Sequence, residues 1–192
     1  MTTNQKYVIA AACLITIVFR LHVPGLPNFG TMVALSLLCG CAFKNGWGFA
    51  IPLGIRMLTD IGLELQTGYG FYSSWAYDYS AYLLIAFLGY QLNSKSALQV
   101  GAGTLTSVTI FFLISNFGAW HFEPSYTSDF AGLWLCFELG LPFAKATIYG
   151  NLLAAPVFFG SWHFATITST QNAATSTQNA ASRQATTSAD NA

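Results

Sequence analysis

The chain has 192 residues, 54% hydrophobic and only 7% charged, with seven basic and seven acidic side chains and a formal net charge of zero. A soluble domain carries roughly 25% charged residues, so this composition excludes an ordinary water-soluble globule and points to an integral membrane protein. Zero net charge gives no footing for nucleic-acid binding.

The first apolar run, 7–23, reads as a transmembrane helix. It lacks the small-x-small site expected of a cleavable signal peptide. Arg20 and His22 lie near its far end, and Pro24 and Pro27 stop it. The segment PGLPNFG at 24–30 is a turn-rich surface or re-entrant loop. A second helix, 31–43, is short against the ~20 residues that a span needs. The turn KNGWG at 44–48 follows.

The third helix, 49–65, reads FAIPLGIRMLTDIGLEL, with Pro52 expected in its first turn. Arg56, Asp60 and Glu64 stand four residues apart, so on a helix they share one face. Charge at membrane depth is costly unless it faces protein or water and finds partners. This stripe therefore points inward. Arg56 and Asp60 can pair within their own helix. Glu64 then needs another partner, with Arg20, His22 and Lys145 as candidates.

Residues 66–79 (QTGYGFYSSWAYDY) form an aromatic loop, an interfacial belt or a lid over a pocket. The fourth helix covers 80–92 and begins within 75–79. A fifth helix, 97–120, opens with the small residues Ala97, Gly101 and Gly103 and ends near Asn116. After a polar loop at 121–130, the run 131–143 is too short to span and is closed by Pro142, which predicts a half-helix or re-entrant segment. The last full helix is 145–165, with Asn151, Pro156 and His163.

Residues 166–192 differ in kind, with STQNAAT followed directly by STQNAAS. No apolar residue larger than Ala recurs at a heptad seam, so a flexible tail is expected unless a partner orders it. The expected fold class is thus all-α, a polytopic bundle of six transmembrane helices with a short re-entrant or half-helix before the last span. Residues 1–165 form the membrane domain and 166–192 the tail. With the amino terminus cytoplasmic, Lys6, Lys44, Lys95 and Arg183 fall inside while Asp78, Glu123 and Asp129 fall outside. Lys145 is the exception.

Few residues suggest chemistry. Cys13, Cys39, Cys41 and Cys136 lie in apolar runs without a C-x-x-C spacing. His22, His121 and His163 are dispersed, with no metal-ligand spacing; His163, in a helix, is the one open to a haem or chlorophyll. There is no P-loop motif and no nucleophile–base spacing, so the protein is not expected to be an enzyme and no cofactor is expected. Asn116, Glu138 and Asn151 form a second polar set on the outer half. They suggest either an outward-facing cavity or interhelical hydrogen bonds.

Three stretches carry a family resemblance: NFGTMVALSLLCGCAF from Asn28, IPLGIRMLTDIGLEL from Ile51, and the pair FFLISNFGAW (111–120) and AGLWLCFELGLPFAKATIYGNLLAAPVFFG (131–160). Together they resemble a family of small bacterial membrane transport proteins that is similar to the substrate-binding S components of energy-coupling-factor (ECF) vitamin transporters. The resemblance implies six helices and an outward-facing pocket capped by loops. It also implies a transmembrane coupling subunit and ATPases as partners; a bacterial inner membrane is the expected location, and the loop basic residues place both termini in the cytoplasm. By position, Asn28, Asp60, Asn116 and Asn151 match the polar places of that pattern.

Two functions follow as expectations. One is capture of a small polar molecule from the outer side by Asp60, Glu64, Asn116 and Asn151, with Arg56 and Asn28 nearby and the 69–77 loop closing over it. The other is a structural or accessory subunit of a larger membrane complex, for example a photosynthetic or respiratory assembly.

Overall fold

A computed structural model describes residues 1–22, 30–94 and 96–190, with 181–190 described by their backbone alone. It contains six helices: α1 Thr3–His22, α2 Met32–Ala42, α3 Trp47–Thr67, α4 Trp75–Gln91, α5 Ala97–Phe122 and α6 Phe130–Asp190. The described residues include no strand.

α2 is the axis of the bundle. Every residue from Met32 to Cys41 is buried, and all five other helices touch it. A helix that is apolar all round belongs inside protein. Its 11 residues rise about 16 Å at ~1.5 Å each, roughly half the ~30 Å of a hydrocarbon core. The shortness legible in the sequence is therefore that of an encircled core helix.

α4 packs closest to it. Its buried positions, Asp78, Ala81, Tyr82, Ile85, Ala86 and Gly89, recur every three or four residues, the spacing of a single helix face. Two glycines let the backbones meet. A Cβ on Gly40 would lie 1.9 Å from the Ala86 carbonyl oxygen, and one on Gly89 would lie 2.2 Å from that of Leu37.

α6 corrects the expectation of a half-helix at 131–143. The helix runs unbroken from Phe130 to Asp190 through Pro142 and Pro156. Its buried positions, among them Cys136, Gly140, Thr147, Asn151, Ala155, Phe159 and Trp162, keep one stripe in register past both prolines. Each proline removes one backbone donor, yet both residues are exposed rather than in the buried stripe, and a helix whose inner face is packed tolerates that loss. Asp129 starts the helix: its Oδ1 accepts from the Thr127 hydroxyl at 2.6 Å and from the Gly132 N–H at 2.8 Å. These bonds hold its carboxyl below the usual carboxylate range. Pro52 is also displaced from expectation. Because α3 begins at Trp47, the proline falls in the second turn.

Beyond Thr170 the helix continues with side chains exposed through Ala180, where the sequence led us to expect a tail. Gln5 Nε2 donates to Thr166 Oγ1 at 3.0 Å, and Ser169 Oγ to Thr2 Oγ1 at 3.0 Å. The start of α1 therefore lies beside this part of α6.

α1, α5 and the 130–180 part of α6 are each long and apolar enough to cross a membrane. Large apolar side chains such as Leu14, Leu98, Leu153, Val157 and Phe164 stand exposed on these helices. That surface suits lipid rather than water, as in a helical membrane bundle, with three such helices among the described residues where six spans were expected.

The glycine contacts yield a pair of contrasting substitutions. Gly89→Ala should cost about 1–3 kcal/mol by forcing α2 and α4 apart. Gly54→Ala, on an exposed face with open space around it, should be neutral or stabilise by up to about 1 kcal/mol. Thermal unfolding in detergent checks both, and equal melting temperatures would remove the close-packing account.

Candidate functional site

The polar interior is built from three helices that meet at one end of the bundle. On α3, Arg56 Nε donates to Asp60 Oδ2 at 2.8 Å, the pairing within one helix that their spacing suggests. Arg56 Nη2 continues to Asp78 Oδ2 on α4 at 3.3 Å and to the Tyr72 hydroxyl at 3.0 Å, and Nη1 reaches the Tyr82 hydroxyl at 3.4 Å. Asp60 also accepts from Arg20 Nη2 of α1 at 2.6 Å and from the Tyr79 hydroxyl at 2.9 Å. The Arg56 guanidinium lies 5.5 and 5.8 Å from the ring centroids of Tyr82 and Tyr79.

Burial makes this arrangement obligatory. Arg56 is 2% exposed and Asp60 fully buried. A buried ion is tolerable only when its charge is matched and its hydrogen bonds are made. Two arginines face two aspartates here, so the cluster is neutral as a whole.

The α3–α4 loop is folded onto this cluster. Gly68, at φ 74°, ends α3 in the left-handed conformation and donates its N–H to the Glu64 carbonyl at 2.9 Å. The chain then turns back so tightly that a Cβ on Gly70 would lie 2.0 Å from the Asp60 carbonyl oxygen. The Glu64 carboxylate holds the turn by accepting from Gly70 N at 2.8 Å and Phe71 N at 3.2 Å. Its partner is thus its own loop, and Arg20, a candidate partner for it, goes to Asp60 instead. The turn delivers Tyr72, whose hydroxyl donates to Asp78 Oδ2.

Beside the cluster lies a cavity of about 310 Å³ between α4, α5 and α6. Tyr72, Ser74, Asp78, Ser115, Asn116 and Glu123 supply its polar wall, and Val108, Phe111, Phe112 and Phe143 its apolar wall. Asn116 Nδ2 donates to the Phe112 carbonyl at 2.7 Å. Its Oδ1 packs against Gly140, where a Cβ would come within 2.2 Å. The size and mixed lining suit a small organic ligand.

The residues singled out by sequence are distributed over these features. Arg56 and Asp60 belong to the ion cluster. Glu64 clamps the loop and Asn116 lines the cavity. Asn151 is buried elsewhere: its Oδ1 accepts from Ala34 N at 2.9 Å and its Nδ2 donates to the Thr147 carbonyl at 2.8 Å, which ties α6 to the start of α2. Asn28 lies outside the described residues. Glu138 and Lys145 are exposed. Asp78, assigned to an outer loop by sequence, is a buried wall residue because α4 begins at Trp75. Its signal was Tyr82, four residues on and on the same helical face. Tyr72 carried no such signal, since its place depends on the folded-back loop.

A second hollow of about 370 Å³ runs between α5 and α6, with Thr104, Pro156, Phe159 and His163 on its walls. It carries no charged wall residue. Among the described residues, no three of His, Cys, Asp and Glu come together as a metal site.

Asp60→Asn should destabilise the folded protein by about 3–5 kcal/mol, because two guanidiniums lose the charge between them. Glu138→Gln, on the exposed face, should stay within about 0.5 kcal/mol of the parent. Circular-dichroism melts of the purified proteins measure both, and an unshifted Asp60→Asn melt would show that the cluster does not hold the fold.

A search of curated proteins and of solved structures finds no match to the chain. The model of DUF6580, a family of unknown function, matches residues 1–175, and the chain belongs to that family.

Proposed function

We propose that the protein is a membrane-embedded binding subunit that captures a small polar molecule through the cavity between α4, α5 and α6. The single observation that carries this reading is the convergence of Asp78, Asn116, Ser115 and Glu123 on one hollow with aromatic walls. A polar-lined cavity inside a lipid-facing bundle is costly unless it serves a ligand. The ligand enters at the end where the α3–α4 and α5–α6 loops lie, with Tyr72 and Glu123 at the rim. In this reading all six helices sit in the membrane, α2 wholly enclosed by the others. Both termini are cytoplasmic, in a bacterial inner membrane, as the basic residues suggest. The protein binds rather than catalyses. Its resemblance to ECF S components makes a coupling subunit and ATPases the natural partners.

One observation favours a second reading, an accessory subunit of a larger assembly. α6 extends to Asp190, and its 171–180 stretch is exposed along its whole length. A polar helix of that kind gains stability from a partner more than from itself.

Capture is tested on the full chain purified from membranes. Denaturing extraction followed by mass spectrometry should release a small molecule from the parent protein. Ala144→Trp, which fills the cavity, should reduce its yield at least tenfold, and equal yields would defeat the capture reading. In the same preparations, a partner protein lost on removing 166–192 would support the accessory reading.

A further inference from the structure

The cavity wall is unusual in what it offers a ligand. Its two acidic wall groups are the carboxylates of Asp78 and Glu123, and no Lys, Arg or His lines it. Several of the neutral groups have a hydrogen engaged within the protein. The Tyr72 O–H is directed to Asp78, so the phenol oxygen has its proton engaged. The Ser115 hydroxyl donates to the Phe112 carbonyl at 3.4 Å, and the Thr147 hydroxyl to the Phe143 carbonyl at 3.2 Å. Asn116 directs its amide nitrogen to the Phe112 carbonyl at 2.7 Å, which leaves the amide oxygen on the side of Gly140 and the cavity. Asp78 receives both of its described bonds on Oδ2. A carboxylate has room for more, and among the described residues Oδ1 has no donor bonded to it.

We infer that the ligand captured here is a small organic cation, a protonated amine or amidine carried on an apolar or aromatic body. The inference rests on the capture reading and adds the chemistry of the captured molecule. A wall that offers two carboxylates and an amide oxygen, with no Lys, Arg or His, favours a ligand that brings N–H groups. An ammonium supplies three and an amidinium four, and each bond to a charged group is stronger than a neutral one. Phe111, Phe112 and Phe143 provide the apolar wall and ring faces that favour a cation's neighbourhood. Glu123 is exposed at the rim, where its charge draws cations toward the opening. The volume, about 310 Å³, is about twice the ~150 Å³ of a cavity that holds benzene. A ring with a short amine-bearing chain fits; a dinucleotide does not. An anion would meet two carboxylates and no cationic wall residue.

The experiment compares three probes of one shape on the full-length protein in detergent, by isothermal titration: 2-phenylethylammonium chloride, 2-phenylethanol and sodium phenylacetate. Sodium and potassium chloride at matched ionic strength are the salt controls. The ammonium probe should bind at least tenfold more tightly than the other two, and Ala144→Trp should abolish its binding. Asn116→Leu should weaken it about tenfold through loss of an acceptor to a charged donor, and Glu123→Gln about threefold through loss of a rim charge. Comparable binding of the alcohol or the acid would overturn the cation assignment while leaving capture intact. An equal response to the simple salts would overturn the organic body. Silence from every probe would overturn the inference, with capture judged separately by the extraction yields of the parent and Ala144→Trp.

Discussion

The structure depends on keeping Arg56 paired. Its guanidinium is almost fully enclosed and makes described bonds to Asp60, Asp78, Tyr72 and Tyr82. An isolated charge in that position would cost several kcal/mol, so each partner becomes a constraint on the backbone that carries it. Asp78 must face inward, which requires α4 to be helical from Trp75. Tyr72 must reach down, which requires the loop to reverse after Gly68. Asp60 must serve two cations, which draws the end of α1 against α3 through Arg20. Glu64 stays outside the ion pairing and instead fixes the loop that the pairing needs.

A second constraint works on the same helices by contact rather than charge. α2 has almost no polar side chain to orient it, and Ser36 turns back to its own Met32 carbonyl at 2.9 Å. What positions α2 is shape: Gly40 on Ala86, and Gly89 on Leu37. Membrane helices have no hydrophobic drive to associate within lipid, so small residues that admit backbone contact carry the packing. Asn151 adds a directional bond by accepting from Ala34 N at the start of α2. α4 thus packs against α2 at its glycine-bearing end and joins the ion cluster at the other. The wall of the cavity stands on both.

Much of this was legible in the sequence, and the failures have physical causes. The membrane class followed from charge depletion. The inward face of α3 followed from Arg56, Asp60 and Glu64, because spacing on one helix is a local property. Asp78 was not legible, since its burial depends on a partner twenty-two residues away, and Ser74, at the start of α4, makes no side-chain capping bond that would mark the helix's beginning. Pro142 looked like a terminator because proline breaks helices in water, where a lost hydrogen bond and a kink go uncompensated. Along α6 the buried stripe continues on both sides of it, and packing outweighs one missing donor. Asn151 was legible as polar and important, but its partner is a backbone amide on another helix, which no spacing rule reveals.

The ion cluster and the cavity share Asp78 and Tyr72, and that sharing joins the stability of the bundle to the proposed recognition. Burying Arg56 requires the Asp78 carboxylate to be ionised and Tyr72 to direct its proton to it. Both conditions make these two residues acceptors toward the adjoining cavity. Asn116 and Ser115 add to the bias for an independent reason: on a helix exposed to an apolar medium, their hydrogens return to the Phe112 carbonyl of their own backbone. The acceptor character of the wall is therefore a consequence of how a lipid-facing bundle satisfies its own polar groups. Under the proposed capture of a cation, a ligand that brings hydrogen-bond donors meets the two carboxylates and the Asn116 oxygen, whereas an anionic ligand meets no Lys, Arg or His on the wall.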